Sequence, residues 1–269
     1  MTTPLQRLLP LILLIPLANA QTPPQKPMAP EADPSFEAAT IKLNNSGTIG
    51  ISNRVNGRTF TTRNTTLMYL ITFAYRLNPK QVINAPDWLE KDTYDVDAVE
   101  DGEGFPSDKQ WRTMLQKLLA DRLKLTFHHD QRELSVYILT AAKTGAKNLT
   151  TSQRTNPLPG FGFEPKPGGV TLVSHNATIS EFASMILQGE LLDRPVLDQT
   201  GISGKFDFQF TFLPDESMFH GHPPPAPASD NPAPSLFTAI QEQLGLKLDN
   251  TKAPTDVIIL DHIEKPSPN

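Results

Sequence analysis

Residues Leu115–Leu139 read LQKLLADRLKLTFHHDQRELSVYIL, and residues Leu236–Leu260 read LFTAIQEQLGLKLDNTKAPTDVIIL. Set side by side without gaps, at a constant offset of 121, they place Leu115 on Leu236, Leu119 on Ile240, Leu123 on Leu244 and Leu125 on Leu246. Further along, Val136 falls on Val257 and Tyr137-Ile138-Leu139 on Ile258-Ile259-Leu260. In both stretches the apolar spacing changes at the same point, from three or four residues to two, which is the change from a helix period to a strand period. Each stretch therefore predicts a helix running straight into two strands.

A second block repeats at an offset of 112. Gly57-Arg58-Thr59-Phe60 corresponds to Gly169-Val170-Thr171-Leu172, Asn64-x-Thr66-Leu67 to Asn176-x-Thr178-Ile179, and Tyr94-Asp95-Val96 to Phe206-Asp207-Phe208. The blocks keep the same order, so the chain reads as one supersecondary unit used twice: strand, helix, short strand, strand, helix, strand, strand. In the first half, strands are expected near 58–62, 81–84, 93–99, 123–129 and 134–141, with helices near 66–77 and 107–121. In the second half, strands are expected near 170–174, 195–198, 205–212, 246–249 and 255–262, with helices near 178–188 and 234–244. Phe36 to Lys42 adds a strand to the first sheet. Thr178 stands three residues before Glu181, a capping-box spacing, and Thr66 or Asn64 and Ser235 are placed to cap the helices that follow them. This mixed order predicts an α+β fold of two related modules, each a mostly antiparallel sheet with two helices packed on it.

Around these blocks the composition sets boundaries. Residues 1–20, MTTPLQRLLPLILLIPLANA, carry one basic residue, an apolar run and the small-x-small ending Ala18-Asn19-Ala20, and so predict a cleavable signal peptide. Residues 21–35 form a Pro-rich linker, 36–145 the first module, 146–168 a second linker, and 169–265 the second module with a Pro-rich loop at 214–234. Removing residues 1–20 takes one Arg and no acid, moving the formal charge from −5 to −6, a balance that disfavours nucleic acid and anionic membrane surfaces. With 0 Cys there is no disulfide, thiolate metal site, cysteine nucleophile or lipid-modified cysteine. The mature chain carries no transmembrane run, and it is expected to be exported, periplasmic or extracellular.

Motifs that carry chemistry are few. His220-Gly221-His222 is the most metal-like pair, but no spacing supplies a third ligand and three prolines follow. His128-His129-Asp130 with Glu133 is expected at a solvated turn between two strands. Gly201-Ile202-Ser203-Gly204-Lys205 lacks the phosphate-loop spacing and precedes a strand, so it reads as a tight turn. Asn64, Asn148 and Asn176 begin glycosylation-type triplets. There is no G-x-S-x-G elbow and no H-E-x-x-H helix. Trp88 and Trp111 are the candidate partner contacts, against a default in which tryptophan caps the core. No catalytic residue and no cofactor is assigned.

FEAATIK, GRTFTTRNTTLMYLITFAY, INAPDWLEKDTYDVDA, MLQKLLADRLKLTFHHDQRELSVYIL, DRPVLDQTGISGKFDFQFTF and PSLFTAIQEQLGLKL with VIILDHIEKPSPN together resemble the soil-associated family of exported acidobacterial proteins, whose function is unknown. The resemblance runs from about residue 36 to 269 and implies no catalytic residues; the bacterial source it implies makes Asn64, Asn148 and Asn176 capping and turn residues rather than glycosylation sites. Val170 to Phe212 is more weakly similar to the short N-terminal domain of secretins and TonB-dependent receptors, which implies a small protein-interaction module. The leading expectation is a non-catalytic exported protein acting through contacts with an envelope protein or polysaccharide. The alternative is a periplasmic hydrolase or carbohydrate-binding protein with a site between the two modules, and a third reading is a soluble ligand sensor. The oligomeric state stays open.

Overall fold

The computed structural model describes residues 26–46, 52–155 and 158–266. The expected signal peptide at 1–20, and residues 21–25 of the expected linker, lie outside them. The fold is α+β, with mostly antiparallel sheets. The first half contains β1 (Phe36–Leu43), β2 (Ser52–Asn56), β3 (Thr59–Thr66), α1 (Leu67–Tyr75), β4 (Val82–Ile83), α2 (Trp88–Lys91), β5 (Thr93–Glu100), α3 (Asp108–Arg122) and β6 (Thr126–Ala141). The second contains β7 (Thr150–Thr151), β8 (Gly160–Lys166), β9 (Gly169–Ala177), α4 (Ile179–Glu181), which continues as a π-helix, π1 (Phe182–Leu191), then β10 (Val196–Asp198) and β11 (Phe206–Phe212). It ends with α5 (Leu236–Ala239), a second π-helix, π2 (Ile240–Leu244), and β12 (Leu246–His262).

The strands form three sheets, ordered β1-β5-β3-β2, β10-β6-β12-β4 and β7-β11-β9-β8. The two outer sheets have the same layout: a hairpin, β2-β3 or β8-β9, is extended by the later strand, β5 or β11, and then by the earliest, β1 or β7. Helix starts repeat as well. Thr66 accepts from the Tyr69 N–H at 3.1 Å, and Thr178 with Glu181 forms a capping box, each satisfying donors the first turn leaves open. Asn64 and Asn176, just before these caps, are both left-handed (φ 55 and 51), and each gives its N–H to the aspartate across the sheet, Asp95 at 3.0 Å and Asp207 at 2.8 Å. Asn148 is left-handed too (φ 56), so all three glycosylation-type asparagines serve as turn residues.

The central sheet departs from two self-contained sheets. β6 and β12 pair antiparallel along their length, from Leu246 opposite Ala141 to Leu260 opposite Phe127. β4 then pairs with β12, and β10 with β6, so each half lays its short strand on the other half's long one. Two buried cores result, one around Leu67, Ile71, Leu115 and Leu119, the other around Phe182, Leu187, Ile240 and Leu244. Ile258 and Leu260 of β12 complete the first core, and Leu139 of β6 belongs to the second.

Several expected boundaries change. The strands expected at 123–129 and 134–141 are one strand, β6, and those at 246–249 and 255–262 are one strand, β12. His128, His129, Asp130 and Glu133 therefore lie within a strand rather than at a turn. One face of the central sheet is largely open to solvent there, so polar residues continue the ladder instead of ending it. Pro254 fits inside β12 for a related reason. The Tyr137 N–H points out of the β6–β12 pair to Pro195 O at 2.8 Å. Alternation by two carries this outward direction to Glu133, and Pro254 lies directly opposite Glu133, so its missing N–H belongs to the outer edge and costs no ladder bond. Residues 146–168, expected as a linker, contain β7 and β8. Pro165 of β8 is tolerated because it lies on an edge strand. Residues 26–35, also expected as linker, are docked: Met28 is buried, its N–H bonds Phe105 O at 2.9 Å, and Gln110 Nε2 donates to Ala29 O at 2.8 Å.

Candidate functional site

The helix α1, LMYLITFAY, carries one non-aromatic polar residue in nine, Thr72, and is apolar nearly all round. Such a helix must be covered on more than one side. Its buried residues Leu67, Leu70, Ile71 and Ala74 fill the first core, while Met68, Tyr69 and Phe73 also face the second half. Between them lies a cavity of about 750 Å³, lined by β2, β3, α1 and the start of α3 from the first half and by residues 158–163, π1 and His220 from the second. That volume falls in the usual range for small-molecule sites, about 300–1,000 Å³. Six aromatic residues, Phe60, Tyr69, Phe73, Trp111, Phe161 and Phe163, make most of its wall apolar.

One end of the cavity is charged. Arg76 follows α1 in the left-handed region (φ 54, ψ 46), and its Nη2 meets Asp108 Oδ2 at 2.6 Å and Glu181 Oε1 at 3.6 Å. Arg112 Nε donates to the same Asp108 oxygen at 3.0 Å. Asp108 opens α3 and Glu181 sits in the first turn of α4, so both carboxylates also lie at the positive end of a helix. Gln188 of π1 ties the halves together here: its Nε2 donates to Arg76 O at 3.3 Å and its Oε1 accepts from Val196 N–H at 3.1 Å. Among the described residues, three buried side-chain polar atoms have no hydrogen-bond partner, and two belong to residues of this wall, Arg76 Nε and Trp111 Nε1.

A second polar group lies at the rim. His220 Nε2 stands 3.5 Å from Glu190 Oε2, and this contact raises the His220 pKa above its ordinary value. Phe219 and His220 are both left-handed (φ 54 and 56), and the Phe219 ring packs edge-on against Phe163 at 4.7 Å. Tyr69 stacks on Phe73 at 6.2 Å, and burial, aided by the charge of Glu190, pushes its phenol up to about 12, so it remains a neutral donor.

The residues singled out from sequence fall in different places. His220 is at the cavity rim facing Glu190, while His222 is exposed. Among the described residues no group of three or more His, Asp or Glu is gathered to hold a metal ion. Trp111, considered as a partner contact, is only 3% exposed and packs with Phe36 and Phe60 at ring distances of 6.2 and 6.1 Å. It is a core and cavity residue because it lies on the apolar side of α3, beneath β1 and β3. Trp88 is half-buried against the first core, with Lys265 5.7 Å above its ring. Arg76, Asp108, Arg112 and Glu190 were not singled out. The one local signal was the all-apolar face of α1, which requires a cover but does not say which residues supply it.

A family model described as a protein of unknown function (DUF3738) matches residues 68–263, a span containing both charged groups and most of the cavity wall. No curated protein and no solved structure matches the chain.

Proposed function

We propose, on the premise that the chain belongs to the DUF3738 family of unknown function, that it is a non-catalytic binding protein holding an apolar small molecule in the cavity between its halves. The observation that carries this reading is the aromatic-walled cavity of about 750 Å³, to which both halves contribute. The nearby charged groups are engaged with one another: Asp108 with two guanidiniums, Glu181 with Arg76 and the Thr178 N–H, Glu190 with His220. They serve to fix the walls rather than to supply a free base or nucleophile. We further read the matched order of elements as a duplication, and the sequence of residues 1–20 as placing the protein outside the cytoplasm.

The test is titration with 8-anilinonaphthalene-1-sulfonate, a fluorescent apolar probe. Saturable binding near one equivalent is expected, and it should be lost in Gly189→Phe. Gly189 lines the cavity, and a Cβ there meets only Ser184 O, at an ordinary 3.5 Å, so the variant fills space without forcing the backbone. Probe binding unchanged by Gly189→Phe would reject the cavity as the site.

A second reading, contact with an envelope protein by strand addition, is favoured by the outer edge of β6. β10 covers that edge only at Tyr137–Leu139, leaving the stretch before it unpaired by any described strand. Glu133→Pro would remove an outward N–H without touching the β6–β12 ladder. On this reading it abolishes co-purification of an envelope protein, whereas retained co-purification excludes the edge.

A further inference from the structure

We infer that the molecule held in this cavity is an amphipathic carboxylic acid, its apolar body among the aromatic rings and its carboxylate at the Arg76–Arg112 end. The inference rests on the reading of the cavity as a binding site and adds the chemistry of the head group. It follows from a count of donors and acceptors at the charged end. Asp108 Oδ2 already accepts from both Arg76 and Arg112, at 2.6 and 3.0 Å. Glu181 accepts from the Thr178 N–H at 2.8 Å and faces Arg76 with its other oxygen. The donors are in excess. Each guanidinium offers five N–H groups in a planar fork. Arg76 engages an acceptor only through Nη2, and Arg112 only through Nε. Arg76 Nε and Trp111 Nε1 are enclosed without an acceptor, Trp111 being only 3% exposed, which leaves this end short of acceptors. The Arg76 and Arg112 side chains keep 24% and 19% exposure, so hydrogen-bonding capacity of the two forks remains open to an acceptor brought into the cavity.

A planar carboxylate is the group that arginine forks engage two bonds at a time. An ammonium head would bring more donors to an end already rich in them. A hydroxyl head would offer an acceptor but no charge. The two arginines are balanced by Asp108 and Glu181, so recognition here depends on directed hydrogen bonds rather than on net positive charge. Away from that end, Phe60, Phe73, Phe161 and Phe163 with Met68 and Met185 offer an acyl chain or aromatic body apolar contact, and the remaining polar members of the wall include Asn53, Glu90, Ser184, and Glu190 with its partner His220.

The experiment compares dodecanoate, dodecanol and dodecyltrimethylammonium by isothermal titration of the full mature chain, below their micelle concentrations. Dodecanoate is expected to bind about tenfold or more tightly than either of the others, the usual advantage of charge-assisted over neutral hydrogen bonds. In Arg112→Gln, with an unchanged far-UV spectrum, dodecanoate should lose about tenfold while dodecanol stays within twofold. Arg112→Lys should restore only part of the loss, since lysine lacks the fork. Equal affinity for dodecanoate and dodecanol, or tighter binding of the ammonium compound, would overturn the head-group inference and leave the apolar cavity standing. Binding of none of the three would overturn the cavity reading as well. Should Arg112→Gln misfold, the wild-type comparison of the three heads still decides the matter.

Discussion

The two halves pair their strands in the same way but build their helices differently, and the cavity lies where they differ. From Thr66 to Val82 the first half takes sixteen steps through a regular α1; from Thr178 to Val196 the second takes eighteen through π1. Both end on the same part of the central sheet, Val82 opposite Ile258 and Val196 opposite the equivalent Tyr137. The wider π-helix absorbs extra residues in one segment, a device that recurs at functional sites. The later helices differ too. Counting back from the shared strands, α5 starts where Leu115 stands in α3, so the first two turns of α3 have no helical counterpart. Those turns carry Asp108, Trp111 and Arg112. Shared elements hold the fold and form much of the cavity wall, and the unshared turns of α3 add Asp108, Trp111 and Arg112 to it.

If this division is right, equivalent core positions respond alike. Leu119→Ala and Ile240→Ala each remove a fully buried side chain and should each cost about 2–5 kcal/mol in urea unfolding. A large loss in one with little in the other would break the equivalence. Unshared positions should respond unequally. Asp108→Ala leaves two partly buried guanidiniums without their common partner, at about 2–3 kcal/mol. Ser229→Ala, at the matching offset in the Pro-rich loop, should shift stability by less than about 0.5 kcal/mol.

A sharper contrast concerns one equivalent pair. Lys124 and Gly245 both follow a helix in the left-handed region (φ 53 and 62). Gly245→Ala would drive its Cβ into Gly145 O and should cost about 2 kcal/mol. Lys124→Gly relieves backbone strain and should gain up to about 1 kcal/mol. Equal effects of the two would show that the turns are not the same.

The smallest effect is one of pH. Glu190 raises the His220 pKa above 6.5, so this pair stabilises the fold fully below the unfolded value, and the contribution fades as pH rises through the folded one. The histidine is half exposed, so only a few tenths of a kcal/mol are expected. His220→Gln should flatten that part of a plot of melting temperature against pH between about 6 and 8.

Much of the fold was legible in the sequence because its signals are local. The period change at Leu123–Leu125, the caps at Thr66, Thr178 and Ser235, and the asparagines at 64 and 176 each act within a few residues. Non-local pairing escaped. The run HHDQRE at 128–133 looks like a turn until its partner, 254–259, is placed beside it. β8 looks like a linker because Pro165 within it is harmless only on an edge. The site was hidden for the same reason: Arg76 meets Asp108 thirty-two positions on, and Gln188 reaches Arg76 across 112. No periodicity reports on such distances.

If the space between the halves receives a ligand against Trp111, the emission of that residue reports it. In a Trp88→Phe chain, Trp111 is the sole source of tryptophan emission, and dodecanoate should change it saturably, with the change abolished by Gly189→Phe. Emission unaltered by dodecanoate, or altered equally in the filled variant, would contradict a ligand in that space.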